Sequence, residues 1–96
     1  MVISMREKQI EQELVREVKR RGGFCEKWNS GTAGWPDRII LLHDGKIGFV
    51  EVKAPGKVPR KLQLHRHKQL RRLGFRVYVL DETEQIGGII DDIQTT

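Results

Sequence analysis

The chain has 96 residues, and its 18 Lys and Arg against 13 Asp and Glu give a net charge of +5. This length suits one domain with a single core, which we expect to span residues 1–96. The positive charge favours a polyanionic partner, with nucleic acid the first candidate. The single Cys25 cannot form an intramolecular disulfide, and no secretory signal or bilayer-spanning apolar run is present, so we expect an intracellular protein without a membrane partner.

Hydrophobic periodicity and turn signals predict helices and strands in the order α-β-β-α-β-α. Helices are predicted where apolar residues recur at helical spacing, and strands where β-branched and aromatic residues cluster between Gly or Pro signals. Gly87 and Gly88 weaken the last helix. The predicted elements are a helix at 5–21, a short extended segment at 24–28, strands at 38–42 and 47–53, a helix at 62–73, a strand at 75–80 and a helix at 83–93. The fold class is therefore α/β in the mixed α+β sense, with a central sheet flanked by helices.

An acid, an apolar residue and a lysine interrupt the second predicted strand at Glu51-Val52-Lys53. Residues two apart in a strand share a face, so Glu51 and Lys53 project together. Charges in an otherwise apolar strand are costly unless they serve a purpose. Hard cations such as Mg²⁺ take oxygen ligands, which Glu51 and the preceding acid Asp37 can supply for phosphodiester hydrolysis. The alternatives are a Pro-Asp turn at Asp37 and an exposed ion pair between Glu51 and Lys53.

The turn between the two strands decides whether Asp37 can reach the face that displays Glu51. A two-residue loop at 44–45 would place Asp37 opposite Val52, on the wrong face. A three-residue loop at 43–45 would place Asp37 directly opposite Glu51. We therefore predict the three-residue loop with Gly45 in a left-handed conformation, or else Asp37 just outside the regular ladder.

At this point the chain resembles the PD-(D/E)xK nuclease superfamily, whose signature is matched by Pro36-Asp37 and Glu51-Val52-Lys53. More narrowly, it is similar along nearly its whole length to stand-alone virus-type replication-repair nuclease (VRR-NUC) domains of phage and bacteria. The resemblance implies a restriction-endonuclease-like core. It rests on Ile10-Glu11, Asn29-Ser30, Gly34-Trp35-Pro36-Asp37-Arg38, Glu51-Val52-Lys53-Ala54-Pro55-Gly56, Leu62-Gln63 and Leu73-Gly74-Phe75-Arg76-Val77.

The resemblance also implies roles for particular residues. The acids matching Asp37 and Glu51 bind Mg²⁺ or Mn²⁺, and the backbone carbonyl of Val52 adds a ligand. The lysine matching Lys53 orients the attacking water or steadies the phosphorane. An acid on the first helix completes the site, for which Glu11 is the best match and Glu7 and Glu13 are competitors; Gln63 matches a site glutamine, although a helix-capping role is the alternative. The expected catalytic residues are therefore Asp37, Glu51, Lys53, Glu11 and Gln63.

No acidic residue lies between Ala54 and Leu80, whereas eight cations do. A basic run without acids beside a metal site favours phosphate contacts over mere solubility. Ser30 lies in the loop of small residues before Asp37. It is either a hydrogen-bond donor to a phosphate oxygen of the nucleic acid or simply a turn former. The expected nucleic-acid-binding residues are Ser30, Lys57, Arg60, Lys61, Arg66, Lys68, Arg71 and Arg72.

Three other features of the sequence carry alternatives. Trp28 and Trp35 either pack in the core or stack on bases. His65 and His67 are two apart on a helix and have no nearby cysteine, which argues against a zinc site. The terminal strip of Ile86, Ile89, Ile90 and Ile93 is either core or contact surface.

These features predict a metal-dependent, structure-specific DNA endonuclease that works in the cytoplasm of a bacterial or phage-infected cell. Four-way (Holliday) junctions cut by a homodimer are the favoured branched double-stranded substrate, because the resemblance implies it and because no base-reading motif is apparent. A flap or nicking nuclease is the first alternative. A non-catalytic nucleic-acid-binding module is the alternative from another class. We expect no small-molecule cofactor.

Overall fold

The computed structural model describes residues 2–96, with side chains from Arg6 onward. Its elements are helix α1 (Val2–Arg20), strands β1 (Phe24–Lys27), β2 (Arg38–Leu42) and β3 (Lys46–Val52), helix α2 (Lys61–Arg72), strand β4 (Arg76–Leu80) and helix α3 (Ile86–Gln94). A short 3₁₀ turn, Thr83–Gln85, precedes α3. The predicted order is confirmed, and the segment predicted as merely extended at 24–28 is a fourth strand.

The four strands form one sheet in the order β1-β2-β3-β4, in which the first two pairings are antiparallel and β3 pairs with β4 in parallel. The parallel pair is possible because α2 forms the crossover between its strands. Strands β2 and β3 are central, which agrees with their apolar residues on both faces. The mixed sheet flanked by helices that the sequence predicts is therefore present.

The two faces of the sheet carry different cores. One face packs against α1 and α3, and its cluster includes Leu14, Ile40, Val50 and the terminal isoleucine strip, all of which is buried. The strip is therefore core rather than contact surface. The other face packs against α2, where Phe49, Leu70 and Val77 form a smaller cluster.

The aromatic rings before Asp37 pack against the α2 face of the sheet. Trp28 lies 5.7 Å and Trp35 6.3 Å from Phe49, measured between ring centroids, and both contacts are close to edge-on. Edge-to-face packing of this kind stabilises aromatic clusters. Of the two alternatives for the tryptophans, packing is the one these contacts support.

The hairpin between β2 and β3 has the register that the site requires. Leu42 pairs with Lys46 across a three-residue turn, and Asp44 and Gly45 have φ angles of 63° and 71°. The predicted loop length and the left-handed Gly45 are confirmed, and Asp44 shares that conformation, which Asp tolerates better than most residues. Arg38 and Val50 are the last residues that pair, so the register places Asp37 opposite Glu51, just beyond the end of the paired strands.

Within the described residues, no helix is long and apolar enough to cross a membrane.

Gly48 allows α3 to lie close to the sheet. A Cβ built at Gly48 would lie 2.3 Å from Ile93 Cδ1 and 2.7 Å from its Cγ1. We expect Gly48→Ala to destabilise the protein by about 1–3 kcal/mol, the usual cost of overpacking a core. Denaturant unfolding measures this, and the penalty should largely disappear in an Ile93→Ala background.

Gly88→Ala is the matched control, because a Cβ at Gly88 meets no atom within 4 Å. This substitution inside α3 should stabilise the protein by about 1 kcal/mol through helix propensity. Equal penalties for Gly48→Ala with and without Ile93 would contradict the packing explanation.

Candidate active site

The candidate site forms where β2 begins and β3 ends. Asp37 immediately precedes β2, and its Oδ2 accepts a hydrogen bond from the backbone N–H of Val52 at 2.8 Å. The backbone carbonyl of Asp37 in turn accepts from Trp28 N–H at 2.8 Å, which ties the residue to the end of β1. These two bonds hold Asp37 across the strand from Glu51.

Glu51 is a carboxylate taken almost completely out of water, with 1% of its surface exposed. Its Oε2 accepts from Gln63 Nε2 at 2.9 Å and lies 3.6 Å from Lys53 Nζ. Its Oε1 lies 3.4 Å from His67 Nε2. A buried charge of this kind is tolerated because α2 covers it with polar partners.

Lys53 lies on the same face as Glu51, as strand alternation predicts. Its backbone N–H donates to the carbonyl of Leu80 at 2.8 Å, so the end of β3 is fixed to β4 while the side chain remains partly accessible. Because the N–H of Lys53 points to β4, the N–H and carbonyl of Val52 point to the opposite side, toward Asp37. The Val52 carbonyl therefore points to the same side of β3 as Asp37, as its predicted role as a metal ligand requires.

Gln63 makes one hydrogen bond that fits each of the two alternatives that the sequence left open. Its Oε1 accepts from the backbone N–H of Arg60 at 2.8 Å and satisfies one donor at the start of α2. Its Nε2 donates to Glu51. The glutamine that caps the helix therefore also contacts the site carboxylate.

Glu11 lies near this group of residues but is held by another partner. Its Oε2 accepts from Arg38 Nε at 2.8 Å, and Arg38 projects from the face of the sheet opposite to Asp37. Glu11, Glu7 and Asp37 nevertheless line one open cavity of about 420 Å³, together with Trp28 and Asn29. Glu13 pairs with Arg16 on the exposed side of α1.

The basic residues that follow the site divide into two groups. Some already hold the structure together: Arg66 Nε donates to the carbonyl of Ala33 at 3.0 Å, and Arg71 Nη2 to that of Val77 at 2.8 Å. The others are exposed and form no ion pair within residues 6–96: Lys57, Arg60, Lys61, Lys68 and Arg72.

The helix presents three of these free cations on one stripe. Lys61, Lys68 and Arg72 lie at helical spacing opposite to the buried stripe that includes Gln63 and His67. A polyanion approaching α2 from solvent would meet them first.

The loop before Asp37 is fixed by α2. A Cβ at Gly34 would lie 2.7 Å from Leu62 Cγ, so the glycine allows the loop to pack closely against the helix. Ser30 is exposed and its Oγ accepts from the Thr32 N–H at 3.0 Å, which is a local serine turn. Its hydroxyl also donates to the Thr32 carbonyl at 3.3 Å.

His67 is the site neighbour that the sequence reasoning did not assign. The sequence argues against a zinc role for it and places it on the helix face of Gln63, and the structure buries it completely against Glu51. Its spacing of four residues from Gln63 was the available signal, because two such residues share one face of a helix.

Asp37 and Glu51 oppose each other electrostatically. Burial, and next the negative charge of Glu51, raise the pKa of Asp37 from 3.8 to about 6, although the hydrogen bond from Val52 lowers it. Within the described residues no three His, Cys, Asp or Glu side chains converge as ligands. Two facing carboxylates, a nearby carbonyl and solvent suit a hard divalent cation that retains several waters, and such a cation would relieve the repulsion.

This repulsion predicts a pH-dependent stability. Because the pKa of Asp37 is raised on folding, the metal-free protein should lose stability as the pH rises from 3.8 through about 6. Asp37→Asn keeps an acceptor for Val52 and adds a donor for Glu51. In EDTA at pH 7.5 it should raise the melting temperature by at least about 4 °C, the shift expected for ~1 kcal/mol.

At pH 3 that advantage should largely disappear, since this pH lies below both pKa values and Asp37 is then protonated in the folded and the unfolded state. Glu26→Gln, at an exposed carboxylate on β1, is the matched control and should leave the melting temperature nearly unchanged at both pH values. A destabilised Asp37→Asn variant at pH 7.5 would contradict the repulsion.

The chain is similar in sequence to a phage protein and in structure to a solved domain. It is 48% identical over 81 residues to a protein named "Putative nuclease p44" from Acyrthosiphon pisum secondary endosymbiont phage 1. The aligned region covers 83% of this chain and 87% of the relative. A solved structure described as "VRR_NUC domain" superposes with a TM-score of 0.82 at 28% identity, covering 90% of this chain and 95% of that chain. No family model matches the chain.

Proposed function

The chain belongs to the VRR_NUC family of nucleases, and on that basis we propose that it is a divalent-metal-dependent endonuclease that cuts branched DNA. The observation that carries the proposal is the meeting of Asp37 and Glu51 at one end of the β2–β3 hairpin, with Lys53 beside them. Mg²⁺ or Mn²⁺, when bound, would polarise the phosphate and acidify a water.

Each residue of the candidate site then has a defined task. Asp37 and Glu51 would hold the cation through their carboxylates, and the Val52 carbonyl would add an oxygen from the strand. Lys53 carries a positive charge on the same face and orients the attacking water or stabilises the charge that develops on the phosphate. Glu11 would join the site if it exchanged Arg38 for the cation.

The exposed cations around α2 support DNA as the polyanion. Lys57 and Arg60 lie between β3 and α2, so the candidate phosphate contacts begin directly after the site. Such contacts position a duplex without reading its sequence, which suits a substrate recognised by shape. A non-catalytic binding module would have no use for the buried Glu51 and its partners.

Holliday junctions are the branched substrate we propose, cut by a homodimer. Two incisions placed symmetrically across a four-way junction need two active sites, which a twofold dimer supplies. A flap or nicking nuclease needs one. Purified protein with Mg²⁺ or Mn²⁺ should cut an immobile junction in preference to flaps, plain duplex and single strands, and its solution mass should be twice the 11.1 kDa of one chain.

Preferential cutting of flaps by a monomer would favour the first alternative instead. If the protein bound all four DNAs and cut none with either cation, the nuclease proposal itself would be lost.

The site residues should separate by role. Asp37→Ala and Glu51→Ala should abolish both metal binding and cutting, whereas Lys53→Ala should reduce cutting at least about 100-fold and largely spare metal binding. Lys19→Ala, at an exposed lysine on α1, is the matched control and should cut normally. Single-turnover cleavage and calorimetric metal titration measure the two properties, and full activity in any of the three site variants would exclude that residue.

The exposed stripe on α2 should show in the salt dependence of binding. Lys68→Ala removes one phosphate contact, so affinity should fall on all DNAs. The negative slope of log K against log salt should become less steep by about 0.9. Lys19→Ala makes the same change on the other side of the sheet and should leave the slope unaltered. Fluorescence anisotropy at several salt concentrations measures the affinity and the slope. If the slope of Lys68→Ala equals that of the original protein, Lys68 does not contact phosphate.

A further inference from the structure

The buried polar residues of this protein form one connected group. Within the described part of the chain, the charged or polar side chains buried from solvent are Glu51, Gln63 and His67, with 1%, 6% and 0% of their surfaces exposed. Both α2 residues contact the carboxylate of Glu51. Polar groups are buried at a cost unless they satisfy one another, so their concentration at one carboxylate indicates a shared task.

The two helix residues divide the carboxylate between them. Gln63 donates to Oε2, and His67 Nε2 faces Oε1 at 3.4 Å. A carboxylate accepts hydrogen bonds only, so the proton of the imidazole belongs on Nε2. Each oxygen of Glu51 thus has its own donor from α2, four residues apart on one helix face.

The other ring nitrogen shows that packing alone does not explain a histidine here. His67 Nδ1 is buried and has no hydrogen-bond partner within the described residues. An apolar side chain of similar size would fill the same space without leaving a nitrogen unsatisfied. The contact with Glu51 is therefore the feature of His67 that offsets this cost.

We propose that His67 is a positioning residue that holds Oε1 of Glu51 and thereby orients the carboxylate for the divalent cation. The inference rests on the proposed function, because it takes Glu51 to be a metal ligand. His67 itself acts through Glu51 and does not contact the cation. Partners behind a metal ligand typically contribute 10–100-fold to metal affinity.

The test is a Mn²⁺ titration of the DNA-free protein at pH 7.5, with free Mn²⁺ measured by electron paramagnetic resonance. His67→Leu should weaken Mn²⁺ binding by about 10–100-fold. His67→Gln places its amide N–H where Nε2 lies and should bind within about threefold of the original protein. His65→Leu, the same substitution at an exposed position of α2, is the matched control and should bind normally.

A second comparison keeps the proposal testable if His67→Leu fails to fold. His67→Asn is polar but shorter, so its amide occupies the position of Nδ1 and cannot reach Glu51. Weak binding by His67→Asn beside near-normal binding by His67→Gln supports the role. Equal affinities for these two variants, or a folded His67→Leu that binds like the original protein, would overturn it.

Asp37→Ala separates this inference from the proposed function. If Asp37→Ala loses Mn²⁺ binding while all His67 variants retain it, His67 does not position Glu51 and the metal site stands. If Asp37→Ala itself binds Mn²⁺ normally, the metal site as proposed is wrong.

Discussion

The burial of the Glu51 carboxylate is the constraint on which the arrangement of this protein depends. A charge placed in a central strand must find donors, and α2 supplies them from Gln63 and His67. The position of α2 then determines much of the surroundings. Arg66 on that helix fixes the loop before Asp37, and Gly34 permits the close approach. One buried acid thus links the crossover helix, the loop and the sheet.

The sequence predicts the local part of this arrangement well. Strand alternation and turn length are local properties, so the three-residue turn, its register and the opposition of Asp37 and Glu51 follow from arithmetic on a few residues. The helices and central strands follow from periodicity in the same way. Strand β1 was predicted only as extended, because its pairing with β2 depends on a partner that begins eleven residues after β1 ends.

Contacts between distant segments were harder to predict. Helix periodicity places Glu11 at the border of the buried face but does not reveal that Arg38 binds it. The basic run reads as uniform in the sequence, whereas the structure assigns Arg66 and Arg71 to backbone carbonyls and leaves Lys68 and Arg72 exposed. Such partners are determined by how helices sit on the sheet, which composition and spacing do not specify.

The parallel pairing of β3 with β4 has a consequence for the order in which the protein becomes competent. The partners of Glu51 follow it in the chain, and the end of β3 is hydrogen-bonded to Leu80. During synthesis, the β2–β3 hairpin can form from nearby residues and supplies the Val52 N–H to Asp37, but Glu51 gains its partners Gln63 and His67 only after α2 has packed on the sheet. Closing such non-local contacts is the slower part of folding. A nascent chain that ends before Leu80 therefore lacks the assembled candidate site, which arrives only with the completed fold.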